Sequence, residues 1–193
     1  MVSSRRPNIL VTGTPGSGKT SLSRRIVERL GADDYSHVEL SAYVRENGMT
    51  LEYDEHFDTY EIDEDRTLDA LEPVQARGGM VMDHHSSDWF PERWFALVVV
   101  LHAATEVLWD RLSARGYSAH KVRENVQCEI LNVVRDEAFE SYPNAVILEL
   151  QSDTEAQQNE AVDAIARAVE QITRHEYEED GQEQEEEEKR SVC

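Results

Sequence analysis

One segment of the chain has the residue types and spacing of a phosphate-binding loop. Residues 13–20 read GTPGSGKT and fit G-x-x-x-x-G-K-[ST] at every fixed position. The glycines let backbone N–H groups approach phosphate oxygens, and a helix opening at Ser17 adds its positive dipole end. We expect Lys19 to bridge the β- and γ-phosphates of a nucleoside triphosphate and the Thr20 hydroxyl to coordinate Mg²⁺.

A second support for Mg²⁺ is predicted at the end of a neighbouring strand. The run MVMD closes on Asp83, and the His-rich segment that follows includes His85. Ligands of open α/β sheets bind where strands end in this way. Asp83 is therefore the candidate metal carboxylate, and we expect His85 to orient a water or help to position an acceptor group.

Arginines elsewhere offer sites for further phosphates. Arg93 follows the His-rich segment, and a guanidinium can hold a phosphate through two hydrogen bonds. Arg45 lies in an acidic insert at about residues 37–62, which is too long for a turn and predicts a small acceptor-binding subdomain. A basic cluster around Gly116 predicts a short cationic lid at about residues 114–124. The cluster comprises Arg111, Arg115, Lys121 and Arg123.

Strands and helices alternate along the chain. Near-continuous apolar runs predict five strands buried on both faces of a parallel sheet, at residues 8–12, 37–40, 80–83, 96–102 and 145–150. Helical patterns separate them, at residues 17–30, 62–77, 105–114, 119–140 and 154–175. The alternation predicts a layered α/β domain over residues 1–175.

The composition limits the classes of partner. The 193-residue chain carries a formal net charge of −21, which argues against a protein that coats nucleic acid. Residues 176–190 hold nine acids against Lys189 and Arg190, so we expect a disordered acidic tail at 176–193 or a docking site for a basic partner. No apolar run reaches bilayer length, and two cysteines in the whole chain suit an intracellular protein.

Several motifs together resemble one family. The chain is similar to adenylate kinase isoenzyme 6 proteins, also called coilin-interacting nuclear ATPases, over about residues 7–150. The shared motifs are TGTPGSGKT, DEDR at 63–66, D-x-H at 83–85, FPERW at 90–94, RGY at 115–117 and EN-x-QCEI at 124–130. The chain differs in having His84 where an aromatic residue often stands and Ser86 where glycine often stands.

The resemblance implies a P-loop NTPase three-layer fold, with a five-stranded parallel sheet, a small monophosphate-binding insert and a short lid. It implies adenylate kinase activity, ATP + AMP to two ADP, with ATPase activity and Mg²⁺ as cofactor. It further implies a role in maturing the small ribosomal subunit and its 18S rRNA, through a basic small-subunit ribosomal protein on the pre-ribosome, in nucleus and cytoplasm. We expect a monomer, with no membrane association and no sequence-specific nucleic-acid binding.

By position, the resemblance also implies roles for single residues. Lys19, Asp83, His85 and Arg115 would be catalytic. Thr20 and Asp83 would hold Mg²⁺, with Asp83 bound either directly or through water. Arg45 and Arg93 would bind the monophosphate. The ATP-binding set would be Gly13, Pro15, Gly16, Ser17, Gly18, Lys19, Thr20, Ser21 and Arg115.

Other functions remain open on the sequence. One alternative is an ATP-driven switch in pre-ribosome assembly, with ATP hydrolysis rather than AMP phosphorylation as the relevant activity. A third hypothesis is a binding module whose phosphate loop is only structural. The presence of Lys19, Thr20 and Asp83 argues against it. Kinases of shikimate or gluconate share the phosphate loop but are disfavoured by the FPER segment.

Overall fold

The computed structural model describes residues 6–54 and 59–191. Its main sheet has five parallel strands in the order β2-β5-β1-β6-β7. These strands are β1 Ile9–Thr12, β2 Ser36–Glu39, β5 Met80–Asp83, β6 Leu97–His102 and β7 Val146–Gln151. The five predicted strands are confirmed, each to within one residue at either end.

Helices cover both faces of this sheet. They are α1 Lys19–Leu30, α2 Leu40–Glu46, α3 Glu64–Gln75, α4 Thr105–Ala114, α5 Ala119–Ile130, α6 Val133–Ser141 and α7 Glu155–Ser191. Successive β1 side chains point to opposite faces. Ile9 and Val11 pack in a core with residues of α1 and α7, while Leu10 packs in a second core with residues of α2, α3 and α6. This pattern explains the near-continuous apolar composition of the central strands and gives the predicted three-layer architecture.

The insert after β2 packs its first helix against the main core. It contains α2 and an antiparallel pair of strands, β3 Thr50–Asp54 and β4 Thr59–Ile62. Residues 37–39, which the sequence assigned to the insert, belong instead to the edge strand β2. The insert therefore leaves the main sheet at α2, directly after the carboxyl end of β2.

The predicted single helix over 119–140 is wrong. The chain breaks between α5 and α6 at Leu131 and Asn132, and Asn132 has a left-handed backbone with φ of 55°. Its apolar spacing continues across the break, so periodicity alone gave no sign of it. The bend turns α6 back onto the sheet, where Ala138 and Tyr142 reach the core.

The acidic segment also differs from expectation. Disorder is predicted from residue 176, but α7 runs from Glu155 to Ser191 without interruption. Glu, Gln, Lys and Arg are good helix formers, so a helix anchored by its packed first half can continue through them. None of the helices in the described part of the chain is long and apolar enough to cross a membrane.

Candidate active site

The phosphate loop joins the carboxyl end of β1 to the start of α1. Gly13 has a φ of 148°, and a Cβ there would lie 2.4 Å from the Leu101 carbonyl oxygen. Gly18 has a φ of 102° and caps α1 in the left-handed conformation. Glycine is therefore required at both positions, and the loop can turn its N–H groups toward an anion at the helix N-terminus. Pro15, Gly16 and Ser17 complete this loop, and Ser21 follows in the first turn of α1.

Lys19 lies across the loop that it follows. Its Nζ donates to the carbonyl oxygens of Gly13 at 2.6 Å and Thr14 at 3.2 Å. Burial lowers the pKa of Lys19 to about 8, partly offset by the negative charge of Asp83. The ammonium is thus charged at neutral pH, and phosphate oxygens can replace the two carbonyls as its partners.

Thr20 and Asp83 meet at the end of the sheet, as the sequence predicts. The Thr20 hydroxyl donates to Oδ1 of buried Asp83 at 3.2 Å. One hydroxyl and one carboxylate are hard oxygen donors, and Mg²⁺ is commonly bound by few protein oxygens together with substrate phosphates and water. The two side chains therefore fit the predicted metal.

His37 is a neighbour of this pair that the sequence did not reveal. Its Nε2 lies 2.6 Å from Oδ2 of Asp83, so it fixes the carboxylate oxygen that Thr20 does not contact. In the sheet, Glu39 pairs with Asp83 and His37 stands two residues earlier on the same face. The sequence gives only a histidine in a short, largely polar strand, and its meaning depends on the strand order.

The two histidines after Asp83 have different settings. His84 is 3% exposed and packs edge-on against Trp89 and Phe90, and burial keeps its pKa well below the ordinary value. Desolvation in the crevice, with the positive charges of Lys19 and Lys121, lowers the pKa of His85 to about 4 although part of its ring is open to solvent. His85 is therefore neutral at pH 7 and can accept or donate a hydrogen bond to a bound group.

The predicted arginines lie in different parts of the molecule. Arg115 caps the C-terminus of α4, and its charge is among those acting on Lys19. Arg93 lies on a short 3-10 turn, Glu92–Trp94, with its guanidinium 3.5 Å from Glu72. Arg45 is exposed on α2, in the insert. The structure thus joins Lys19, Thr20, Asp83, His85 and Arg115 in one region and places Arg45 on the insert. Arg93 lies instead toward the amino ends of the strands, where its neighbour Glu92 accepts a hydrogen bond from Asn144 just before β7.

Arg111, a member of the basic cluster, contacts the phosphate loop. It lies within α4 and donates to the carbonyl oxygens of Gly16 at 3.2 Å and Ser152 at 2.8 Å. It also donates to the carbonyl of Asp153 at 3.1 Å. Arg111 therefore ties the phosphate loop to the segment between β7 and α7. The predicted lid at about residues 114–124 covers the turn between α4 and α5 and the start of α5.

Comparisons with known proteins agree with this geometry. A protein-family profile described as an AAA domain matches residues 9–132. An adenylate kinase isoenzyme 6 homolog of Caenorhabditis elegans is 47% identical over 163 residues, which cover 83% of this chain and 88% of the relative. A Dictyostelium discoideum protein of the same name is 45% identical over 149 residues, 77% of this chain and 83% of the relative.

Among solved structures, the shikimate kinase of Bacteroides thetaiotaomicron has a similar fold. The TM-score is 0.57 at 17% identity, over 85% of this chain and 98% of that one. Such low identity supports the fold alone, which is that of a P-loop kinase. The close sequence relatives settle the family: the chain belongs to the adenylate kinase isoenzyme 6 family.

Proposed function

We propose that the protein is a nucleoside monophosphate kinase that transfers the terminal phosphate of ATP to AMP, giving two ADP. The observation that carries this proposal is the arrangement at the end of the sheet. The Thr20 hydroxyl lies 3.2 Å from Oδ1 of Asp83, directly beside Lys19 of the phosphate loop. Membership of a family whose relatives are named adenylate kinases supports the same reaction.

Phosphoryl transfer needs positioned charge rather than covalent chemistry from the protein. Lys19 neutralises the charge that develops on the transferred group, and Arg115 approaches it from the turn after α4. Thr20 and Asp83 are the residues that would hold Mg²⁺, which when bound neutralises charge on the β- and γ-phosphate oxygens. His37 keeps the Asp83 carboxylate in one orientation through its 2.6 Å contact.

The acceptor would bind between the crevice and the insert. Arg45 is the proposed partner of the monophosphate, since it is an exposed cation on α2, which begins at the carboxyl end of β2. A guanidinium there could hold the phosphate through two hydrogen bonds. Neutral His85 would orient the attacking group, or a water when no acceptor is present, which gives an ATPase activity.

A second function is favoured by the charge of the chain. A net charge of −21 attracts basic proteins, and the helical acidic segment at the end of α7 would extend that surface. We propose that the nucleotide cycle also acts in the maturation of the small ribosomal subunit and its 18S rRNA, through a basic ribosomal protein on the pre-ribosome. Nuclear and cytoplasmic locations would follow from that role.

The test of the kinase is a coupled assay with ATP, Mg²⁺ and a panel of acceptors. The panel holds AMP, GMP, CMP, UMP, shikimate and gluconate, beside a reaction without acceptor. We expect ADP formation to rise above the acceptor-free rate with AMP in particular. Equal rates with and without every acceptor would contradict the kinase proposal and leave an ATPase.

Lys19→Met serves as the matched loss-of-function variant in this assay. We expect turnover to fall about 100-fold or more, because a preorganised positive charge at the transferred group is lost. His85→Gly should lower the kinase rate about tenfold or more if the ring orients the reacting group. Wild-type rates in either variant would remove that residue from the mechanism.

The assembly role requires a different measurement. A basic small-subunit ribosomal protein should bind the full chain in a salt-sensitive manner and change the rate of ATP hydrolysis. Binding that does not weaken between 50 and 500 mM salt, or that leaves the ATPase rate unchanged, would contradict the switch.

A further inference from the structure

Glu129 is distant from the phosphate loop in sequence but contacts it directly. Its Oε2 accepts a hydrogen bond from the Thr14 hydroxyl at 2.5 Å, across 115 positions of the chain. Its Oε1 lies 3.0 Å from His102 Nδ1 and accepts from the Ala103 backbone N–H at 3.2 Å. A single carboxylate on α5 therefore joins the loop after β1 to the chain leaving β6.

Thr14 is the residue through which this contact reaches the phosphate-binding groups. Its side chain is fully buried, and its carbonyl oxygen accepts from Lys19 Nζ at 3.2 Å and from the Ser17 N–H at 3.1 Å. The position of Thr14 thus sets both the turn of the loop and the resting place of Lys19. A shift of Thr14 would disturb each of these contacts.

The surroundings of Glu129 keep it ionised. Desolvation acts to raise the pKa of this carboxyl, but hydrogen bonds from His102, Thr14 and the Ala103 N–H outweigh it and lower the pKa. The carboxylate is 12% exposed, and on its far side His102 also faces Glu149 at 3.5 Å. A hydrogen bond to a charged, largely buried acceptor is stronger than a neutral one and orders its donor.

We propose that Glu129 is a positioning residue that holds the phosphate loop in its ATP-binding shape through Thr14. Without this contact the loop samples other conformations, and the apparent affinity for ATP falls by the fraction of chains that keep the binding shape. The proposal rests on the proposed function only in taking ATP as the ligand of the loop. It makes α5 a support of the nucleotide site as well as a part of the predicted lid.

The test compares variants at both ends of the contact. Thr14→Val removes the hydroxyl at nearly constant volume, Thr14→Ser keeps it, and Glu129→Gln removes the charge. Glu140→Gln is the control, because Glu140 is an exposed glutamate on α6, outside the predicted lid. The measurements are the affinity for Mg–ATP by titration calorimetry without acceptor, and KM for ATP and kcat in the coupled assay.

We expect Thr14→Val and Glu129→Gln each to weaken Mg–ATP binding and raise KM about tenfold, the loss of one charge-assisted hydrogen bond. Saturating ATP selects the competent loop, so kcat should change much less than KM. Thr14→Ser and Glu140→Gln should bind like the wild type. The double variant Thr14→Val, Glu129→Gln should bind no more weakly than the weaker single variant, because both changes remove the same contact.

Three results would overturn the proposal. They are wild-type affinity in Thr14→Val, equal losses in Thr14→Val and Thr14→Ser, and additive losses in the double variant. If Glu129→Gln fails to fold in a thermal scan, the two Thr14 variants still decide the question. A wild type that binds Mg–ATP but phosphorylates no acceptor would contradict the proposed kinase reaction while leaving this test intact.

Discussion

At the residue scale, the backbone of Gly13 has no room for a side chain. A Cβ would lie 2.4 Å from the Leu101 carbonyl oxygen, in a backbone conformation with φ of 148° that other residues rarely adopt. Leu101 belongs to β6, which pairs with β1, so neither backbone can move without disturbing the sheet. The close approach is therefore a property of the fold that only glycine satisfies.

Gly13→Ala should destabilise the protein and impair ATP binding. We expect a loss of about 2–4 kcal/mol in the free energy of unfolding, measured by urea denaturation, from steric overlap and backbone strain. Gly48→Ala is the control, since Gly48 also has a positive φ, of 61°, but has open space around its Cβ position. Its cost should be about 1 kcal/mol; an equal cost at both sites would contradict the steric argument.

His102 should make the stability depend on pH. Its hydrogen bond to Glu129 raises its pKa, against an opposing effect of desolvation. A raised pKa in the folded state gives stability that is fully present below the unfolded value of about 6.5 and is lost as the pH rises through the folded value. His102→Gln should therefore cost more free energy of unfolding at pH 6 than at pH 8.5. A cost that is the same at both pH values would show that the ring is not charged in the folded protein.

At the scale of elements, the break between α5 and α6 lets two helices serve the two sides of the crevice. Glu129 on α5 contacts Thr14 in the phosphate loop, and Glu137 on α6 accepts from the Ser87 hydroxyl at 2.9 Å in the segment after β5. The bend leaves Glu129 at the phosphate loop and lets Ala138 of α6 pack against the sheet. The left-handed Asn132 is the residue that permits the turn.

Substitutions at Asn132 test this turn. Asn132→Ala should lower the free energy of unfolding by about 1 kcal/mol, because alanine pays the full cost of the left-handed conformation. Asn132→Gly should be neutral or slightly stabilising, since glycine adopts positive φ freely. Urea denaturation measures both, and an alanine variant as stable as the glycine variant would contradict the role of the turn.

At the scale of the whole molecule, the excess of negative charge opposes folding. A net charge of −21 on 193 residues disfavours the compact state through self-repulsion. Residues 185–188 are four consecutive glutamates, a dense part of that charge. The same field that attracts a basic partner therefore opposes folding at low salt.

Salt should stabilise the protein. We expect the melting temperature to rise by a few degrees between about 10 mM and 300 mM NaCl, as the screening length falls from about 30 Å to below 8 Å. Replacing Glu185–Glu188 with glutamine keeps the length and the helix propensity but removes four charges, so it should reduce this rise. If the replacement leaves the rise in melting temperature unchanged, the repulsion that salt screens arises from charges elsewhere in the chain.

The sequence by itself determined the sheet, the phosphate loop and the family. Continuous apolar runs such as residues 97–101 indicate buried strands. The phosphate loop is a local motif whose glycines, lysine and threonine lie within eight positions. These features depend on neighbours along the chain. Asp83 was also found, because it closes a strand.

The tertiary structure alone decided which distant side chains support those residues. His37 reaches Asp83 because β2 pairs with β5, Arg111 holds the loop because α4 packs beside it, and Glu129 meets Thr14 across 115 positions. No periodicity encodes such contacts, since they arise from strand order and from how helices pack on the sheet. The same reason explains the break at Asn132, where packing against the core overrode a continuous helical pattern.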